Sequence, residues 1–512
     1  MKPSTGEHST AVLSVGKLAL KPRVNDHIRR FLENRDLAFQ LVEALGSPLN
    51  IVFPEVLGEN LKEFKAVLKN HGVDHRIFFA HKACASTSIV RQLAHADVHL
   101  DIASAEELKH GLGCGFAAHR LEATGPKNEA FLTLLLQHGV TINLDSVTEL
   151  DMVIALMRRL PHIARPVRIL ARVSGFPASS AGHEKGRLLG KDSRFGVKAV
   201  EIPAMLARIA EHKDDLDFLG FSFHLDSVSL TDRLEAIDYC VALFEEALDQ
   251  GLSPSVLDIG GGFRISYLER REDWDAYTMA IKEAALGRRE PVTWQNASFG
   301  LHADRGILKG HLNSYDFYED RPGALFLDDL LKAELPSYEG TTLGEFLSAN
   351  MISLWLEPGR SLLDGAGITL AKVNGTKESS TGKSLVLLDM KRSDLAFLDQ
   401  EFFSDPVILQ KGRRRRKKDA VDSNSPVYFA GNLCLESDLV LRHLTWLEQN
   451  PTAGDLAAFI NTAAYAMDFS ATNSIMQPKA RKVAVFRSTE KAGSSKLSWT
   501  MDENFPGLIQ EG

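Results

Sequence analysis

Cysteine is scarce, long apolar runs are missing and there is no excess of positive charge; each shortage removes a class of protein. The four cysteines among 512 residues, Cys84, Cys114, Cys240 and Cys434, are widely spaced. They form no C-x-x-C pair and no zinc-ligand spacing, so no disulfide scaffold and no bound metal is expected. No run of about 18 apolar residues exists to cross a membrane. The opening "MKPSTGEHSTAVLSVGKLALKPRV" lacks the apolar centre and cleavage site of a secretory signal, so a cytoplasmic setting is the expectation. A formal net charge of -8 gives no global attraction to nucleic acid or to an anionic membrane surface. The one basic run, Arg413-Arg414-Arg415-Arg416-Lys417-Lys418, has no aromatic residues interleaved with it and reads as a solvated loop within residues 411–425. What remains is a globular chain long enough for two domains.

One local form repeats through the middle of the chain: a short β-rich run, a polar or glycine-containing end, then a helical pattern. The runs are "RIFFAHKA", "DVHLDIAS", "RLEATGP", "VTINLDS", "VRILARVSG", "FLGFSFHLDS", "SVLDIGGGF" and "MISLWLEPGR". Strand–helix alternation implies a parallel sheet. Eight units fit a (β/α)8 barrel of the TIM type, with an open doubly wound sheet as the competing arrangement. The long gap before the last run marks an insertion at about residues 265–345. Beyond residue 360, "GITLAKVNG", "KSLVLLDM", "SPVYFAGNLC" and "KVAVFRS" read as strands with turn signals, hence a second, β-rich domain, a barrel or sandwich. The expected division is residues 1–48 packing with the β domain, 49–360 as the barrel, and 361–512 as the β-rich domain.

In a barrel the strand ends converge on one face, where active sites of this architecture lie. The residues there are Lys82, Asp101, Gly125, Asp145, Arg172, His224, Gly260 to Gly262, Glu357 and Arg360. Asp145 reads as a helix cap rather than a site residue. Three features point to a phosphate. The glycines of "DIGGGF" can bring backbone N–H groups close to an anion. Arg360 follows the eighth run and can add a charge-assisted contact. Ser227, in "HLDS", can donate a further hydrogen bond. A lysine after the first strand, a phosphate cradle and a nearby carboxylate together suit pyridoxal 5′-phosphate, which needs an amine for its aldehyde and a partner for its ring nitrogen. Glu357 would serve that nitrogen, and His224 would stack on the ring.

The ordered segments "FFAHKA", "FSFHLDS", "LDIGGGF", "LEPGR", "GNLCLESD" and "NTAAYAMDFSATN" resemble the fold-type III PLP-dependent amino acid decarboxylases, which include the ornithine, diaminopimelate and arginine enzymes. They run from about residue 76 to 473. The resemblance implies that Lys82 forms the Schiff base and His224 stacks on the cofactor. It implies that Ser227, Gly261, Gly262, Arg360 and Tyr465 hold the phosphate, that Glu357 pairs with the pyridine nitrogen, and that Asp101 and Arg172 lie near Lys82 and the ring. It further implies a homodimer with shared sites. Asp389 and Cys434 would come from the second domain of the other copy, the cysteine returning a proton after carbon dioxide leaves.

Several positions depart from the family pattern. Asp226 stands where the family usually has glycine, and Ala463-Ala464-Tyr465 replaces Gly-Ala-Tyr. Leu435 follows Cys434 where diaminopimelate enzymes usually carry Glu, and Asp389 lacks its usual following glycine. The cofactor residues are spared and the substrate side is altered, which points away from diaminopimelate and towards another amino acid or an amino-acid conjugate. Two rivals stand beside decarboxylation. An amino acid racemase of the same barrel would place arginine at the ring nitrogen, against which Glu357 argues. A non-catalytic pyridoxal-binding relative would not need both Lys82 and Cys434.

Overall fold

The structure, a computed structural model, describes residues 18–176, 193–225, 229–397, 400–412, 426–447, 450–489 and 495–508. All eight expected runs are strands: β1 (His75–Ala80), β2 (His99–Ile102), β3 (Leu121–Ala123), β4 (Thr141–Leu144), β5 (Val167–Ser174), β6 (Leu216–Ser222), β7 (Val256–Asp258) and β8 (Ser353–Leu356). Each pairs in parallel with its successor, and β8 pairs with β1. The sheet is therefore closed, and the doubly wound alternative falls. The strands are short and mostly buried, as parallel strands between a filled interior and a helical layer must be.

Small polar residues turn the chain from strand to helix. Ser86, Ser104, Asn128 and Ser146 each accept a hydrogen bond from the backbone N–H three residues on, satisfying a donor that the first helical turn leaves open. This corrects the expectation for Asp145. Ser146 caps the helix Val147–Arg159, whereas Asp145 accepts from the Gly196 N–H at 3.1 Å and faces Arg172 Nη1 at 3.6 Å. A cap must directly precede the first helical residue, and Asp145 lies one position too early.

The second sheet is built on the long strand Gly367–Glu378, which pairs antiparallel with Ser384–Leu388, Leu456–Ile460 and Leu49–Val52. Leu49–Val52 also runs parallel to Arg481–Thr489. The barrel therefore does not begin at residue 49, as expected from sequence. A closed barrel has no free edge to accept another strand, and this one is held between two strands of the β-rich sheet. The barrel proper is entered through the helix Glu55–Asn70.

The insertion divides between two cores. Ile265, Tyr267, Trp274, Tyr277, Val292 and Phe317 are buried in the apolar cluster of the β-rich domain, with Val373, Leu388, Phe403 and Phe459. Its later part forms the helix Ala324–Lys332, whose Leu327, Leu330 and Leu331 are buried in the barrel's cluster. The segment thus ties the domains together beside the barrel mouth.

Candidate active site

Lys82 occupies a single helical turn, His81–Ala83, directly after β1. Its Nζ lies 3.4 Å from Asp101 Oδ2, at the end of β2, and the other Asp101 oxygen accepts from Thr124 Oγ1 at 2.5 Å. Burial works against the ammonium charge, but Asp101, Glu357 and Tyr465 outweigh it and raise the lysine's pKa. Arg172, near the end of β5, stacks over Phe195 with its guanidinium carbon 4.8 Å from the ring centre.

His224 follows β6. Its Nδ1 accepts the Gly261 N–H at 3.1 Å, so the ring proton sits on Nε2 in the neutral form. Burial, then Lys82, Arg172 and Arg233, hold its pKa well below the usual histidine range, which keeps the ring uncharged. Glu357, after β8, is buried. Burial and the neighbouring Asp101 and Asp258 raise its pKa, while Lys82 and Arg172 draw it back.

The glycine segment is less open to an anion than its sequence implies. The Gly260 N–H donates to Asp258 Oδ1 at 2.7 Å, and the Gly261 N–H is taken by His224. Only the third is left: the Gly262 N–H has no hydrogen-bond partner among the described residues. Side chains are excluded here for steric reasons. A Cβ on Gly261 would come within 2.6 Å of the Glu357 carbonyl oxygen, and one on Gly260 within 2.7 Å of His224 Nδ1.

Three further features surround the strand-end residues. Arg233, wholly buried on the helix Leu230–Asp249, donates to the Gly261 carbonyl at 2.6 Å and to the Ile259 carbonyl at 3.3 Å, holding the glycine loop from behind. Arginine on a buried helix face is the trace it leaves. Arg360 donates to the Tyr267 hydroxyl at 2.6 Å and stands over the rings of Tyr315, Tyr465 and Phe397 at 4.3, 4.9 and 5.0 Å. Two of those tyrosines belong to the insertion. Glu122 and Asp258 lie beneath Glu357, with carboxylate oxygens of all three within 4.8 Å of one another.

A cavity of about 350 Å³ at the barrel mouth is lined by Lys82, His224, Gly261, Glu357, Arg360 and Tyr465, among others. Arg172 and His224 line an adjoining cavity of about 340 Å³ with Phe195. Most of the expected site residues thus come together. Asp389 and Cys434 do not join them. Cys434 is exposed and lines a different cavity on the β-rich domain, and Asp389 accepts from Asn432 Nδ2 at 3.0 Å nearby. Ser227, Asp226 and the basic run 413–418 lie outside the described residues. Cys84 is packed, as expected, with burial pushing its thiol up to about 12.

The donor set fits pyridoxal phosphate: an amine at Lys82, an N–H at Gly262 with the Arg360 cation for the phosphate, a buried carboxylate at Glu357, and a flat neutral ring at His224. Comparison with known proteins agrees. Residues 57–291 match the family of pyridoxal-dependent decarboxylases at its pyridoxal binding domain. That match spans β1 to β7 of the barrel. Among relatives, it is 28% identical to the "uncharacterized protein y4yA" of Sinorhizobium fredii over 457 residues, 89% of this chain and 91% of that one. It is 24% identical to the diaminopimelate decarboxylase of Staphylococcus aureus, over 85% of this chain and 88% of that one. Among solved structures, the diaminopimelate decarboxylase of M. jannaschii superposes with a TM-score of 0.64 at 20% identity, covering 90% of this chain and 91% of that one. The lysine/ornithine decarboxylase of Vibrio vulnificus gives 0.60 at 19%, covering 90% and 99%. Both share the fold.

Proposed function

We propose that the protein removes the α-carboxylate of an amino acid, or of an amino-acid conjugate, with pyridoxal 5′-phosphate held at the barrel mouth. The observation that carries this reading is the convergence of Lys82, His224, Glu357 and Arg360 on one cavity. When bound, the cofactor supplies the electron sink for the pair left on the α-carbon as carbon dioxide departs. Lys82 offers the amine that takes up the aldehyde, and Asp101 orients it. Arg360 and the Gly262 N–H bind the phosphate with Tyr465. Glu357 holds the proton on the ring nitrogen, and His224, neutral and fixed by Gly261, offers its flat face to the ring. A carboxylate opposite the nitrogen favours decarboxylation over racemisation, because it strengthens the sink.

The return of a proton falls to Cys434 of a second copy. Within one chain, Cys434 and Lys82 line cavities with no residue in common. The surface around the cysteine supports a dimer: Leu435, Ile475 and Met476 are exposed, and Gln477 Nε2 reaches the Asn432 carbonyl at 3.4 Å, joining the two segments. Such exposed apolar side chains mark a surface for association. The departures at Leu435 and after Asp389 lie on this side, which favours a substrate other than diaminopimelate.

The test is incubation of the reconstituted protein with a panel of amino acids and their conjugates, followed by carbon dioxide release and product mass spectrometry. Borohydride should fix the cofactor to Lys82. An adduct on another lysine, or racemised product without carbon dioxide, would replace this reading.

A further inference from the structure

We propose that Glu122 is a positioning residue that carries a proton in the working enzyme, so that Asp258 and Glu357 beside it can remain anionic. The inference rests on the reading of Glu357 as the partner of the cofactor's ring nitrogen and deepens it.

Glu122 sits in the middle of β3, pointing into the barrel, with no exposed surface. Its oxygens, those of Asp258 at the end of β7 and those of Glu357 after β8 lie within 4.8 Å of one another. Three buried carboxyl groups so close cannot all ionise, because each charge disfavours the next and water is not there to screen them. The surroundings decide which one keeps the proton. Glu357 faces the cavity, where Lys82 and Arg172 favour its anion. Burial raises the Asp258 pKa to about 7, but its Oδ1 accepts the Gly260 N–H at 2.7 Å and Arg172 acts with that bond to favour the anion; its Oδ2, like the Glu122 Oε2, has no partner among the described residues. Glu122 receives one hydrogen bond, from Asn143 Nδ2 to Oε1 at 2.9 Å, and its Oε2 has no partner among the described residues. Asn143 is itself oriented by Ser222 Oγ, which donates to its Oδ1 at 2.7 Å.

Beyond Asn143 on β4, the groups acting on Glu122 are carboxyl groups: Asp258, Glu357 and Asp101 on β2. The cations, Lys82 and Arg172, act from the Glu357 side. A proton on the unpartnered Oε2 turns that orphan acceptor into a donor inside the carboxyl cluster. Burial, followed by these three neighbours, raises the Glu122 pKa well above its ordinary 4.5. The consequence is a cluster that carries two charges in place of three beside Glu357.

Infrared spectroscopy of the protein without cofactor or substrate tests this independently of the decarboxylase reading. At neutral pH the wild type should show the C=O stretch of a buried carboxylic acid, and Glu122→Gln should lose it. The pH dependence of thermal unfolding gives a second readout. Above about 4.5 the unfolded chain releases a proton that folded Glu122 keeps, so stability falls as pH rises, up to the raised folded pKa. In Glu122→Gln that slope should flatten, the amide having no proton to lose. A wild type without the band overturns the proposal whether or not the variant folds. A band that survives in Glu122→Gln overturns it as well, moving the proton to Asp258 or Glu357. So does a stoichiometric divalent cation that chelation removes, since a metal and not a proton would then balance the cluster.

Discussion

Replacing Arg233 by methionine separates what this side chain does for the fold from what it does for the site. The guanidinium is wholly buried, and burial pushes its pKa from the ordinary 12.5 down to about 10. That fall corresponds to roughly 3 kcal/mol held against the charge. In return it donates to the Gly261 carbonyl at 2.6 Å and, more weakly, to the Ile259 carbonyl at 3.3 Å. A hydrogen bond from a charged donor contributes about 1.5–3 kcal/mol. The two effects nearly cancel, and methionine fills much of the same volume without the charge. Unfolding of the apo-protein in urea should still lose about 1–3 kcal/mol, because the Gly261 and Ile259 carbonyls are left without that donor. The glycine loop should respond differently, because its anchor is lost. Gly261 also fixes His224, so a loosened loop disturbs both the Gly262 N–H and the histidine ring, the groups proposed to meet the phosphate and the cofactor ring. Affinity for pyridoxal phosphate, measured by fluorescence titration, should fall at least ~10-fold, or about 1.4 kcal/mol. Unchanged affinity, or a stability loss above about 3 kcal/mol, would refute the reasoning and make Arg233 a structural group only.

Glu357→Gln should keep most of the bound cofactor, for which Lys82, Gly262 and Arg360 are the proposed holders, yet lose about 10²–10³ in turnover, the usual effect of removing one charge-stabilising contact at a transition state; near-normal decarboxylation would mean that Glu357 does not face the ring. Mixing Lys82→Ala with Cys434→Ala subunits should recover part of the activity that each variant lacks, since exchange creates dimers with one intact site. No recovery despite demonstrated exchange would count against a shared site.

The barrel was legible because parallel strands leave a strong trace: short β-rich runs, each followed by a polar turn and a helical pattern. Closure followed from there being eight. The residues that converge on the cavity were legible for the same reason, as positions directly after those runs. Other features depend on geometry that a linear pattern does not carry. Asp145 and Ser146 are adjacent and both can cap a helix, and only the observed helix start tells them apart. The three glycines look equivalent in sequence, but two of their N–H groups face Asp258 and His224, leaving one. Leu49–Val52 is a mostly apolar run before the first barrel strand, and nothing within it says which sheet it joins. Arg233 reads as one polar position on a long amphipathic helix until the glycine loop is seen to pack beneath it.

The insertion gives the site its division of labour. Lys82, His224 and Glu357 are set by strand ends of the barrel, so their spacing follows from the closed sheet. Arg360 also follows a strand, yet the rings around it come from elsewhere: Tyr267 and Tyr315 from the insertion, Phe397 and Tyr465 from segments beyond residue 360. Tyr267 is itself buried in the β-rich core with Trp274 and Phe317. The Lys82 and Glu357 end of the cavity is thus held by one domain, and the Arg360 end by the junction of two. Packing changes in the β-rich core should reach the cofactor through Arg360 before they disturb Lys82. The long gap between β7 and β8, which the barrel does not require, is where that coupling is built.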